Sequence, residues 1–254
     1  MTVSIRPRHE DLVFLSPLSQ ERAARLVRFL ATDLSGTVLD LGCGWAELLL
    51  QVLDAAPSAR GVGVDVDTVS LAHGRDLAEQ RGLGERVTLL EEDPRAAAPR
   101  QAEAVICVGA SQIWGPPVED GLPLDYAAAL EALRATVHRG GRVVYGEGIW
   151  SRPPTPEAVA PLSGRLDELV TLPELVELAV THGFVPVAVH EATMDEWDTF
   201  ESGCAAGWAV WLTEHDPDHP DAAEVRERAA RKRAGYLAGY RGILGMAYLE
   251  LLAV

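Results

Sequence analysis

The sequence predicts an α/β domain wound on both faces of a mostly parallel sheet, on three observations. Short apolar strands alternate with helical stripes along most of the chain. Those strands are apolar on successive residues, the pattern of strands buried on both faces. The first of them runs straight into a glycine turn and a helix, "VLDLGCGWAELLL", Val38 to Leu50.

The elements follow in order. Residues 18–33 place Ala23, Leu26, Val27 and Leu30 on one helical face, and Ser19 is positioned to cap that helix. After Gly36, "TVLDLG" is a strand that ends in Asp40. Leu48, Leu49, Val52 and Leu53 form the next helical face, which stops before Pro57. Residues 60–67 read as a second strand, 68–81 as a helix stopped at Gly82, and 86–93 as a third strand. "PRAAAPRQ" is expected to be a loop or a single turn. Residues 102–111 form the fourth strand, 125–139 a helix stopped by Gly140, and 142–150 the fifth strand. Pro153, Pro154, Pro156 and Pro161 mark residues 152–168 as an irregular connector or lid. "TLPE", Thr171 to Glu174, is a capping box that opens a helix ending at Gly183. A sixth strand spans 184–193. Helices over 194–214 and 221–242 flank the polar turn "HDPDHPD", and "LGMAYLELLAV" closes the chain as a last strand. A terminal strand returning after such a crossover pairs antiparallel, so seven strands with the last antiparallel are expected.

The whole chain, 1–254, reads as a single domain. Residues 1–35 are a helical cap, 36–150 the ligand-binding core, 151–170 a connector, and 194–242 a helical insertion, or lid, before the last strand.

Composition narrows the function. With 38 acidic and 22 basic residues the net charge is −16, and no Lys/Arg-dense patch offsets it. That argues against nucleic acid and for a small-molecule partner. Cys43, Cys107 and Cys204 have no disulfide or CxxC spacing, as expected in a reducing compartment. The start "MTVSIRPRHEDLVFL" has no apolar signal-peptide core, and no run approaches a membrane span. A cytoplasmic protein without membrane contact is expected; oligomeric state is not legible.

The glycine turn carries the chemistry. A dinucleotide fingerprint is G-x-G-x-x-G, its third glycine packing helix on strand beside a pyrophosphate. Here the run is Gly42-Cys43-Gly44-Trp45-Ala46-Glu47, with an acid at the sixth position. An acid there disfavours a diphosphate. Asp40, two residues before Gly42, favours a cationic ligand.

"VLDLGCG" resembles the first motif of class I S-adenosylmethionine (SAM)-dependent methyltransferases, with Asp65, "EED" at 91–93 and "RGGRVVYGEG" in the matching order. The likeness covers about residues 30–150 and the final strand. "LSPLS", "GEGIW", "EWDTFE" and "YRGILGMAYLEL" are similar, more loosely, to a subgroup of bacterial stand-alone small-molecule methyltransferases. The resemblance implies a Rossmann-like fold and SAM as methyl donor, with S-adenosylhomocysteine (SAH) released. It places Asp40, Gly42, Cys43 and Gly44 at the amino-acid end of the ligand, Cys43 through its backbone alone. Asp65 would take the ribose hydroxyls, Val66 the adenine face, and Glu92 and Asp93 the adenine edge. Gly109, Ala110 and Ser111 would lie at the reactive end. A nicotinamide-dependent oxidoreductase and a non-catalytic SAM-binding protein remain the alternatives.

SAM brings its own leaving group, so the protein mainly aligns the acceptor and excludes water. Glu147, at the end of the fifth strand, is the candidate general base; a structural acid bonding backbone groups is the other reading. Trp114 and Trp150 offer aromatic faces to a cationic or apolar acceptor, or pack loops. Trp197 and Glu201 in the helix after strand six either face the acceptor or belong to a core stripe. The base-amine motif N/D-P-P-Y/F is absent after strand four, where "GASQIWG" stands. No metal site is expected, since a solvated turn explains His215, Asp216, Asp218 and His219.

Overall fold

A computed structural model describes residue 5 and residues 7–97, 101–116 and 120–254. The sheet has seven strands: β1 Thr37–Leu41, β2 Arg60–Asp65, β3 Val87–Glu91, β4 Ala102–Val108, β5 Val137–Trp150, β6 Phe184–Glu191 and β7 Leu244–Ala253. Their order is β3-β2-β1-β4-β5-β7-β6. The first five run parallel, while β7 pairs antiparallel with both β5 and β6. This is the Rossmann-like methyltransferase arrangement that was expected.

The helices are α1 Gln20–Ala31, α2 Glu47–Ala55, α3 Thr68–Gln80, α4 Pro94–Ala97, α5 Tyr126–Thr136, α6 Pro156–Val159, α7 Leu172–Thr181, α8 Met194–Glu214 and α9 Ala222–Ala234. A π-helical turn, Gly235–Tyr240, continues α9. On one face of the sheet, α1, α2 and α3 bury Leu26, Leu49 and Leu71 against Val38, Ile106 and Tyr248. On the other, α5 and α7 bury Leu130, Leu133 and Leu175 against Leu39, Val105 and Leu249. Strands covered on both sides cannot alternate polar with apolar, which is why the sequence showed unbroken apolar runs.

Local signals acted as expected at several ends. Ser19 caps α1, its side chain accepting from Arg22 N, and Thr171 with Glu174 forms the reciprocal capping box of α7. The PRAAA stretch opens with the single turn of α4; residues 98–100 lie outside the described residues.

Two boundaries differ from expectation. Helix α5 ends at Thr136, and the chain passes directly into β5 at Val137. Gly140 therefore stops no helix; it sits inside the strand at φ +80°, and His138 is a strand residue rather than a helix terminus. The cause is tertiary: Val137 pairs with Ala102 before an irregularity between Ala102 and Ala104 restores the register. The connector also contains a short helix, α6, which Thr155 caps and Pro156 opens.

Candidate functional site

The strand order reverses between β1 and β4, so the loops after their C-terminal ends diverge and leave a crevice. A cavity of about 660 Å³ occupies it. Asp40, Gly42, Cys43 and Gly44 line it from the end of β1, Asp65 and Val66 from β2, Asp93 from beyond β3, and Gly109 and Ala110 from beyond β4. The sheet thus gathers nine of the eleven residues expected to hold a ligand. Glu92 and Ser111 are not among the lining residues.

The glycine turn is built for close approach. Gly42 and Gly44 adopt φ +74° and +54°. A Cβ on Gly42 would stand 2.6 Å from the Ala110 Cβ, and one on Gly44 would stand 2.8 Å from Leu15 Cδ1. At Gly42 both backbone conformation and space require glycine, whereas at Gly44 the positive φ favours it and the Leu15 side chain could move aside. Gly42 N and Cys43 N both donate to Val64 O, at 2.9 and 3.1 Å, which locks the turn onto β2. Ala46 follows at φ 60° and opens α2 with no side-chain cap, so helix N–H groups remain beside the cavity.

Three carboxylates set the electrostatics. Asp65 receives one backbone donor on each oxygen, Gly44 N at 2.7 Å and Asp67 N at 2.8 Å. Its remaining lone pairs can accept two more donors. Asp40 is buried, and burial, with Asp65 nearby, pushes its carboxyl up to about 8. A buried carboxyl held neutral in this way is a receptor for a cation, which would restore its charge. Asp93 is engaged at the rim, where Arg95 Nε donates to both of its oxygens at 3.0 and 2.9 Å.

Glu47 does not act as the sequence argument required. Its carboxylate accepts from Arg81 Nη2 at 2.6 Å and Gln51 Nε2 at 2.8 Å. Its charge is compensated from the helix side, so it repels a diphosphate less than a bare acid would.

The cover of the cavity is the N-terminal segment, which the ligand assignment missed. Phe14, Leu15, Ser16 and Leu18 line the cavity. Trp45 Nε1 donates to Val13 O at 2.8 Å, and Tyr248 OH donates to Pro17 O at 3.1 Å. His9 stacks on His73 with ring centroids 3.8 Å apart. The position of this segment, just before the first helix, is the signal that it could cover the ligand. Helices α8 and α9 lie between β6 and β7 as expected, but none of their residues lines this cavity. They back the segment instead: Gly203 of α8 lies against Leu12 and Asp11 O, where any Cβ would collide. Residues 14–18 of the cap contribute to the cavity wall, and residues 194–242 contribute none of its lining.

The candidate acceptor residues also lie elsewhere. Glu147 is buried behind the cavity wall; Oε2 accepts from Ser111 N at 2.9 Å and Oε1 from Gly148 N at 2.8 Å. Burial raises its carboxyl, against the lowering effect of those backbone donors. Ser111 Oγ lies 2.6 Å from Tyr145 OH, also buried. These bonds fix the turn whose Gly109, Ala110, Gln112 and Ile113 do line the cavity. Trp150 is buried, with Nε1 donating to Leu166 O at 3.1 Å. Trp114 packs against the α5–α7 core. Trp197 is a core residue, edge-on to Phe200. Glu201 faces α9, accepting from Tyr240 OH at 2.8 Å and pairing with Lys232 Nζ at 2.7 Å. None of the five lines the cavity: Glu147, Trp150 and Glu201 find polar partners inside the protein, while Trp114 and Trp197 are held by apolar packing, their buried indole N–H groups without a hydrogen-bond partner among the described residues. In the histidine turn, His215 stacks on Trp211 and its Nδ1 meets Trp211 O at 2.8 Å, so its ring closes the end of α8. Among the described residues no helix is long and apolar enough to cross a membrane.

The family model described as a methyltransferase domain matches residues 38–141. The sequence of YjhP from Escherichia coli K12 is 30% identical over 244 residues, covering 94% of this chain and 93% of that protein. The crystal structure of a SAM-dependent methyltransferase from Geobacter sulfurreducens, in complex with S-adenosyl-L-homocysteine, superimposes with a TM-score of 0.82 at 26% identity, covering 97% of this chain and 96% of that one. A SAM-dependent methyltransferase from Thiobacillus denitrificans, also in complex with S-adenosyl-L-homocysteine, gives 0.79 at 26% identity over the full length of both chains.

Proposed function

Because this chain belongs to the class I SAM-dependent methyltransferases and uses SAM as its methyl donor, we propose that its acceptor is a small molecule, methylated by direct in-line displacement. The observation that carries this reading is the cavity at the strand ends, partly covered by the N-terminal segment. Its polar end holds the glycine turn and carboxylates, and its other walls are apolar: Phe14, Leu15, Leu18, Ile113 and Pro116. Phe14, Leu15, Ser16 and Leu18 of the N-terminal segment narrow its mouth, which suits a compact acceptor better than a macromolecular surface. A net charge of −16 disfavours nucleic acid independently.

The residues present fit the cofactor. Asp40 suits a cationic amino-acid end, since a positive group beside it would favour its charged form and draw its raised carboxyl back down. The uncapped start of α2 suits the carboxylate of the same end. Asp65 has acceptor capacity left for two ribose hydroxyls. Val66, an apolar side chain 68% exposed at the cavity edge, offers a surface for a flat ring. Bound SAM supplies an activated methyl group and its leaving group. The chain contributes binding, alignment and exclusion of water.

Glu147 is assigned a positioning role. Its carboxylate holds the turn after β4 through Ser111 N, and its oxygens are both occupied by backbone donors. A reducing, cytoplasmic setting agrees with three free cysteines, each with its thiol pushed up chiefly by burial.

The test combines calorimetry with SAH and an SAH-release assay over panels of small alcohols, amines, thiols and carboxylic acids, with RNA and protein as further acceptors. Turnover on a small molecule is expected. Turnover on RNA or protein alone would refute the acceptor class. Tight SAH binding without turnover on any panel would favour a SAM sensor.

A further inference from the structure

A second cavity, of about 620 Å³, lies between α8 and α9 and the π-helical turn, and shares no lining residue with the first. Its floor is apolar. Trp208 and Leu212 come from α8 and Leu237 from the π turn, while Ala205, Ala209 and Ala229 keep the helices from filling the space between them. Leu237 is 60% exposed, an apolar side chain with nothing over it.

Five charged residues line the same cavity. Asp198 accepts from Arg241 Nε at 2.8 Å, Arg241 Nη2 at 2.7 Å and Tyr236 OH at 2.7 Å. Glu201 takes Lys232 Nζ and Tyr240 OH as described above. The π turn is what presents both tyrosine hydroxyls, and such irregular turns recur at functional sites. Both acids are thereby matched by a cation and a hydroxyl. Arg233 is left over: among the described residues its guanidinium has no hydrogen-bond or ion-pair partner. The cavity therefore carries one uncompensated positive charge in a chain whose net charge is −16. An occupant that complements it has an apolar body for Trp208, Leu212 and Leu237 and one negative group for Arg233.

We propose that the α8–α9 cavity is a binding site for an amphipathic monoanion, an aliphatic or aromatic body bearing a single carboxylate or sulfonate. The site is separate from the cofactor cavity and does not depend on the identity of the methyl acceptor. A second copy of the chain is disfavoured as occupant by the like charge of two such acidic chains.

The experiment uses the full-length protein saturated with SAH, with 8-anilinonaphthalene-1-sulfonate and decanoate as probes. The expected result is one fluorescent sulfonate per chain, displaced by decanoate and indifferent to SAH. Arg233→Glu should weaken both probes tenfold or more, because a charge-assisted contact is replaced by repulsion. Ala209→Trp, at an exposed position on the cavity wall, should abolish binding by filling the space. Both variants should keep wild-type SAH affinity and helical circular dichroism, which separates loss of the site from loss of the fold. Displacement of the sulfonate by SAH, no binding of either probe, or binding unchanged in both variants would overturn the proposal. So would a dimer by light scattering that Ala209→Trp dissociates.

Discussion

With Asp40 at the cofactor's amino-acid end, as proposed, cofactor binding should be proton-coupled. In the unfolded chain its carboxyl ionises near 3.8; in the ligand-free fold burial and Asp65 raise it to about 8. The folded state therefore holds an extra proton between those values. The sign follows: ligand-free stability falls as pH rises through that window, because the folded acid resists ionisation that the unfolded acid allows. A bound ammonium reverses the balance and expels the proton. At pH 7 a group titrating at about 8 is roughly 90% protonated, so each SAH bound should release about 0.9 proton. The apparent Kd should fall roughly 50-fold from pH 6 to pH 8, as the fraction of ionised Asp40 climbs from about 1% to about half. Calorimetry in buffers of different ionisation enthalpy reads the proton count directly. Asp40→Asn should remove the release and flatten the pH profile. It should bind SAH roughly tenfold or more weakly than wild type at pH 8, the size of one charged hydrogen bond, and match wild type near pH 6. A heat of binding independent of buffer at pH 7, or an unchanged proton count in Asp40→Asn, would refute the reasoning.

Further outcomes follow from the same geometry. Gly42→Ala adds a Cβ 2.6 Å from that of Ala110 at φ +74°; overpacking of about 1–3 kcal/mol should lower Tm by several degrees and abolish SAH binding. Glu147→Gln leaves the buried Ser111 N–H without its carboxylate. A loss of about 1–3 kcal/mol should appear as a lower Tm, with weaker SAH affinity measured well below it, whereas an unchanged Tm and affinity would refute the positioning role. Arg22→Ala breaks the buried bridge to Glu196, whose Oε2 lies 2.8 Å from Arg22 Nη2. A cost of about 3–5 kcal/mol is expected in denaturant melts. Burial alone would raise Glu196, but hydrogen bonds from Arg22 and Ser19 outweigh it and hold the carboxyl at about 2. Wild type should therefore lose roughly 2–3 kcal/mol as pH falls from about 5 to 2, a slope that Arg22→Ala should largely lack.

The sequence by itself determined the parts that are local in the chain. Strand and helix periodicity, the caps at Ser19 and Thr171, and the Asp40–Gly42–Gly44 turn depend on neighbouring residues. So does the placement of Asp65 and Val66 at a strand end, and in a parallel sheet all such ends share one edge. That is why the donor was legible, and why most of the residues expected to hold it line one cavity. Which way a side chain turns was not. Glu147 and Trp150 occupy the right strand end, yet Ser111 N, Gly148 N and Leu166 O draw their polar atoms inward. Glu47 stands at the ligand turn but answers to Arg81, 34 residues away. Glu201 shares a helix with Trp197 and answers instead to Lys232 and Tyr240. The cover of the cavity came from the first turns of the chain because Trp45, Tyr248 and Gly203 bind it across the fold. Periodicity records which residues are buried. Only the tertiary structure decides what each buried polar group bonds, because its partner is set by packing between distant segments.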